Sequence, residues 1–103
     1  MENQFEFAQE GTILTIKLGE ELATANATAL MEEIKNYCET GVEKVVFDAT
    51  RLNYIASSGI RAIIYAKRKL GGNPAIEFVN CAQSIRDVLK MVGIEGYITF
   101  ASK

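Results

Sequence analysis

The run Val45-Val46-Phe47-Asp48-Ala49-Thr50-Arg51-Leu52-Asn53-Tyr54-Ile55-Ala56-Ser57-Ser58-Gly59-Ile60-Arg61 passes from an apolar segment through a polar stretch to two serines and a glycine. Its first part has the composition of a buried strand, and its end has that of a helix mouth. After Gly59 the apolar residues Ile60, Ile63, Ile64 and Leu70 recur near helical spacing, while Arg61, Tyr65, Arg68 and Lys69 fall largely off that stripe. Ser57 and Ser58 therefore sit at a helix N-terminus. Unpaired N–H groups and the positive end of the macrodipole make that place tolerant of an added phosphate. Two readings stand side by side: a phosphorylation switch and a plain helix cap, since Ser is among the commonest N-cap residues.

Strand and helix signals alternate on either side of this run. Phe5-Glu6-Phe7 and Thr12 to Leu18 have strand-like alternation around the turn signal Glu10-Gly11, which predicts a hairpin. A helix is predicted from about Asn26 to Cys38, with Leu30, Ile34, Tyr37 and Cys38 on one side, and Gly41 is placed to end it. The strand Lys44 to Asp48 is almost continuously apolar, as expected where helices cover both sheet faces or one face is heavily buried. Gly71-Gly72 and Pro74 stop the serine helix. Ala75 to Val79 reads as a strand. Ser84 to Asp87 opens a short helix with a cap-like Ser and an acid three positions on, with Ile85, Val88, Leu89 and Val92 as its buried stripe. Gly93 and Gly96 precede a last strand, Tyr97 to Phe100. The order β-β-α-β-α-β-α-β implies an α/β fold with crossover helices and a mostly parallel β-sheet, because parallel neighbours need long, right-handed connections.

At 103 residues with 49% apolar side chains, the chain is expected to form one domain spanning residues 1–103. No apolar run approaches the roughly 18 to 20 residues of a membrane span, and Met1-Glu2-Asn3-Gln4 has neither the basic nor the apolar part of a signal peptide. A cytoplasmic location without membrane insertion is expected. Cys38 and Cys81 form no C-x-x-C pair and have no histidine to join them, so buried free thiols are expected, with no disulfide and no zinc.

The net charge of -2 hides an asymmetry: residues 1–50 hold ten acidic and three basic side chains, and residues 51–103 hold three and eight. Arg51, Arg61, Lys67, Arg68 and Lys69 put positive charge around the serine helix. Weak overall acidity and the lack of a nucleic-acid module favour a protein-docking face or a solvated helix face over nucleic-acid binding. A hydrolytic serine needs a base, usually His, and the chain has none. No phosphate-loop pattern surrounds Gly71-Gly72-Asn73, and no cofactor is expected. Asp48 at a strand end reads either as a loop-bonding residue or as a support for the serine loop.

The strand, the Asp, the variable loop and Ala56-Ser57-Ser58-Gly59 resemble the signature of the STAS domain, most closely that of the bacterial anti-sigma factor antagonists. Those proteins carry Asp-Ser-Ser-Gly or Asp-Thr-Ser-Gly at this place, and the element order of the STAS fold extends the resemblance over essentially the whole chain. The resemblance implies a regulatory binding protein, not an enzyme. Its partner would be an anti-sigma factor with serine kinase activity, and a phosphatase would reset it. It implies Ser58 as the phosphate acceptor, Ser57, Gly59, Ile60 and Arg61 as partner contacts, and Asp48 as a support. The alternative is a STAS module acting as a fixed subunit of a transporter or signalling complex. Ala56 and Ala23 stand where the family usually has acids, and Arg61 replaces a usually small residue, so the neighbourhood is more positive than is usual. Ile60, Ile64 and Met91 lie on helical stripes and are expected in the core, the alternative being parts of an exposed docking surface.

Overall fold

The computed structural model describes residues 5–37, 41–70 and 74–102. A five-stranded sheet runs in the order β1 (Glu6–Glu10), β2 (Ile13–Lys17), β4 (Lys44–Asp48), β6 (Ala75–Val79), β7 (Ile98–Ala101). β1 and β2 form the expected antiparallel hairpin, turned at Gly11 with φ +62°. The other neighbours are parallel. Their crossovers contain α1 (Thr24–Ile34), α2 (Ser57–Lys69) and α3 (Gln83–Met91). All three step in one direction across the sheet, and right-handed connections then place the three helices on one face.

Burial follows that geometry. Leu14, Ile16, Val45, Phe47, Ile76 and Phe78 are buried under the helices, whereas Thr15, Val46 and Glu77, pointing the other way along the same strands, are only partly covered. Of the two environments foreseen for the apolar strand, one heavily buried face is the one that occurs. Phe47 and Phe78 are register partners with ring centroids 5.1 Å apart, and burial of each side chain contributes about 2–3 kcal/mol.

Two short strands escape the sequence patterns. β3 (Glu21–Leu22) and β5 (Tyr54–Ile55) form a separate parallel pair beside the main sheet. Other departures are local. The first helix starts at Thr24, not Asn26, and passes into a 3-10 turn at Lys35–Tyr37, while Cys38, Gly71 and Gly72 lie outside the described residues. The first strand runs Glu6–Glu10 and the last Ile98–Ala101, with Tyr97 in a preceding 3-10 turn.

Ser84 is not a cap: α3 starts after Ala82, whose carbonyl already accepts from the Ile85 and Arg86 N–H groups. Val92 lies past the end of α3 and is exposed, because the stripe of Ile85 and Leu89 ends with the helix. Ile60 is in the core as expected. Ile64 and Met91 are not, since Ile64 lies on the edge of the α2 stripe and Met91 in the last turn of α3. Cys81 is half-buried, and desolvation pushes its thiol up to about 11 against the opposing charge of Arg86.

Candidate functional site

The serines are positioned by a loop that is tied down at three places. At its start, Asp48 Oδ1 accepts from the Thr50 N–H at 3.1 Å and from Thr50 Oγ1 at 2.6 Å, a side-chain turn that redirects the chain as it leaves β4. Thr50 Oγ1 in turn accepts from Asn80 Nδ2 at 3.0 Å, linking this loop to the one after β6. Asp48 thus serves the beginning of the loop, nine positions before Ser57. Next, Leu52 is buried and Asn53 N–H donates to the Glu20 carbonyl at 2.8 Å. Then β5 pairs with β3, and Ala56 N–H donates to the Leu22 carbonyl at 2.9 Å.

The helix begins immediately afterwards. Ala56 is the N-cap, in extended conformation, and Ser57, Ser58 and Gly59 are the first three helical residues. Gly59 is required by close approach: a Cβ there would stand 2.6 Å from the Leu22 carbonyl oxygen and 2.8 Å from Leu22 Cγ. The first turn of α2 is therefore clamped onto β3. Immediately after β3 comes the start of α1, where Asn26 Oδ1 accepts from Ala23 N–H and Asn26 Nδ2 donates to the Glu21 carbonyl, both at 2.7 Å. Two helix N-termini thus lie side by side. Ser58 Oγ donates across the gap to Thr24 Oγ1 at 3.4 Å, a long contact that holds the hydroxyl weakly.

Electrostatically this corner favours an anion. Neither α1 nor α2 has an acidic residue in its first turn, and neither N-cap supplies a side-chain oxygen, since both are alanines, Ala23 and Ala56. These are the two positions singled out in the sequence for lacking an acid; their shared role as the caps of adjacent helices is a tertiary fact. Ser57 and Arg61 are exposed and Ser58 is half-exposed, whereas Gly59 and Ile60 are buried. Thr24 was not foreseen, because the contact joins residues 34 positions apart. Among the positive residues, Arg61, Arg68 and Lys69 are exposed on α2, but Lys67 is partly buried, with Nζ donating to the Pro74 carbonyl at 2.9 Å. Among the described residues no group of three or more Cys, Asp or Glu side chains is placed to hold a metal, and no helix is long and apolar enough to cross a membrane.

The sequence matches the family model of the STAS domain over residues 4–103. This chain belongs to the STAS domain family. A comparison with curated proteins finds no match. Solved structures with the same fold include the anti-sigma factor antagonist SpoIIAA in its unphosphorylated form, at TM-score 0.83 and 18% identity over 96% of this chain and 89% of that one. They also include the phosphorylated form of the Bacillus cell fate determinant SpoIIAA, at TM-score 0.74 and 18% identity over 96% and 92% of the two chains. An anti-sigma factor antagonist from Mycobacterium paratuberculosis aligns at TM-score 0.79 and 15% identity over 94% and 83%. Likeness at these identities establishes the STAS fold: one mostly parallel sheet with three helices. In this STAS domain the serine pair stands at the edge of the sheet from which the helices leave, the usual place for function in open parallel sheets.

Proposed function

We propose that this STAS domain is an anti-sigma factor antagonist, a binding protein without catalytic activity that docks on an anti-sigma factor and is switched off by phosphorylation of Ser58. The observation that carries the reading is the position of Ser58: second residue of a clamped helix, half-exposed, its hydroxyl weakly held by Thr24. Similarity to solved anti-sigma factor antagonists, one of them in a phosphorylated form, supports the general role. The partner is an anti-sigma factor with serine kinase activity, and a phosphatase restores the binding form. Ser57, Ser58 and Arg61 meet the partner directly, while Gly59 and Ile60 hold the turn in place from below, and Asp48 supports the start of the loop.

The switch follows from charge. A phosphate adds about 1.5 to 2 negative charges. Against one partner carboxylate at about 6 Å and an effective dielectric near 20, repulsion is on the order of 4 to 6 kcal/mol before salt screening. Half of that weakens binding by roughly 30- to 150-fold. The fold tolerates the same charge, because two helix starts without acidic residues in their first turns face it and Arg61 lies one turn further along. The chain need not unfold to let go.

The test is a pull-down from the native cell extract with the unmodified protein and with Ser58→Asp. The first is expected to retain a small ATP-binding kinase, and the second to lose it. In a kinase assay with that partner, phosphate is expected on Ser58. A second reading draws on Ala23 and Ala56, which replace acids usual in the family: a STAS subunit fixed in a transporter or signalling complex. It requires equal recovery of a non-kinase partner by both proteins.

A further inference from the structure

At the opposite end of α2 from the serines, α2 and the segment between α3 and β7 border a cavity of about 350 Å³. Ile63, Ile76 and Ile94 form its buried floor. Ile64 and Tyr97 flank it and remain 36% and 62% exposed. Small-molecule sites begin near about 300 Å³ and combine a mostly apolar lining with a few placed polar groups. This cavity has both properties.

Its charged lining residues among those described are two cations, Lys67 and Arg68, and Tyr97 adds a phenol. Lys67 is fixed at the rim by its bond to the Pro74 carbonyl. Arg68 is exposed and makes no ion pair among the described residues, and no described carboxylate lines the cavity. A cavity lined by an exposed arginine and a lysine above an isoleucine floor is complementary to an apolar body with one anionic head, and the planar fork of Arg suits a carboxylate.

We propose that this cavity binds a small amphipathic anion, an acyl chain ending in a carboxylate. The chain lies over Ile63, Ile76 and Ile94, between Ile64 and Tyr97, and the carboxylate is held by Arg68 and Lys67. Arg68 is ten residues beyond Ser58 on the same helix, about 15 Å along its axis, so the site is separate from the serine corner and does not rest on the regulatory reading.

The experiment is a methyl and amide NMR titration of the full chain with decanoate and, separately, decyltrimethylammonium, both as monomers in solution. Decanoate is expected to shift Ile63, Ile64, Ile76 and Ile94 saturably, with at least tenfold higher affinity than the cation. Arg68→Glu, an exposed change whose melting temperature is checked alongside, is expected to weaken decanoate tenfold or more. Equal affinity for the two amphiphiles, shifts confined to other residues, or an unaffected Arg68→Glu variant would overturn the proposal. So would inorganic phosphate shifting the same methyl groups as strongly, since the apolar floor would then be irrelevant. Recovery on phosphatidylglycerol vesicles without any response to monomeric decanoate would mean a membrane-surface contact, and would also overturn it.

Discussion

α2 and α3 leave the same edge of the sheet from strand ends that are register partners, Asp48 and Val79, and each starts after an alanine whose side chain caps nothing. Ser58 and Ser84 hold the same place, the second helical residue. The surroundings differ. The chain reaches α2 through residues 49–56, which include β5 and bond to β3, and α3 through residues 80–82 alone. Ser58 faces Thr24 at the start of another helix, whereas Ser84 is exposed on a turn stabilised by Gln83 donating to Asp87 at 2.9 Å. A serine at a helix start therefore says little by itself. The clamp and the neighbouring helix make one of these two a defined surface.

Gly59→Ala breaks the comparison most severely. The added methyl meets Leu22 backbone and side chain at under 3 Å, so a loss of about 2–3 kcal/mol and a fall in melting temperature of roughly 10–20 °C are expected. Ser84→Ala on the other helix is expected to stay within about 0.5 kcal/mol. Calorimetry of the pair checks this, and a Gly59→Ala protein that melts like the parent would remove the clamp from the account.

Thr50→Val cuts the bridge between the two loops, since Thr50 bonds both Asp48 and Asn80. A loss of about 1 kcal/mol in urea unfolding is expected, with the slope unchanged. An unchanged midpoint would mean that the loops are independent.

Ser58→Asp without any partner is expected to stabilise the protein by about 0.3–1 kcal/mol at low ionic strength, a gain that shrinks as salt is added. Ser84→Asp is expected to gain less, because one helix start faces it and not two. Equal gains would show that α1 contributes nothing at the serine corner.

At neutral pH the smallest effect belongs to Cys81 in the short loop. Its thiol, raised to about 11 by burial, stays protonated where the unfolded chain, with the ordinary value of 9.0, ionises. Between those two values the unfolded state binds fewer protons, so stability falls as pH rises through that window. Alkylation by iodoacetamide at the ordinary value is expected to be slower in the folded protein than in urea. Equal rates would show that the loop does not shield the thiol.

Both central strands were legible in the sequence to the residue, Lys44–Asp48 and Ala75–Val79, because a short, mostly apolar run between turn signals leaves little choice. The serine helix was legible from its stripe and its start only approximately: the serines, read as a possible cap, are its first two helical residues, and Ala56 is the N-cap. β3 and β5 were not, since two residues show no period and their pairing joins segments more than thirty positions apart. The Ser84 pattern has the form of a capping box, but the helix starts two residues earlier, where the Ala82 carbonyl is available. Ile64 and Met91 lie on helical stripes whose edges the facing elements do not reach.

The sequence by itself determined the element order, the mostly parallel sheet and the placing of Ser57-Ser58-Gly59 at a helix mouth, because periodicity and turn chemistry act over a few neighbouring residues. The tertiary structure decided that Gly59 must be small against Leu22, that Thr24 meets Ser58, and that Ala23 and Ala56 occupy the N-cap positions of two adjacent helices. It also decided that Arg68 borders an isoleucine-floored cavity. Each of these is a contact between segments far apart in the chain, and local propensity carries no information about which distant backbone will come to lie within a few ångströms.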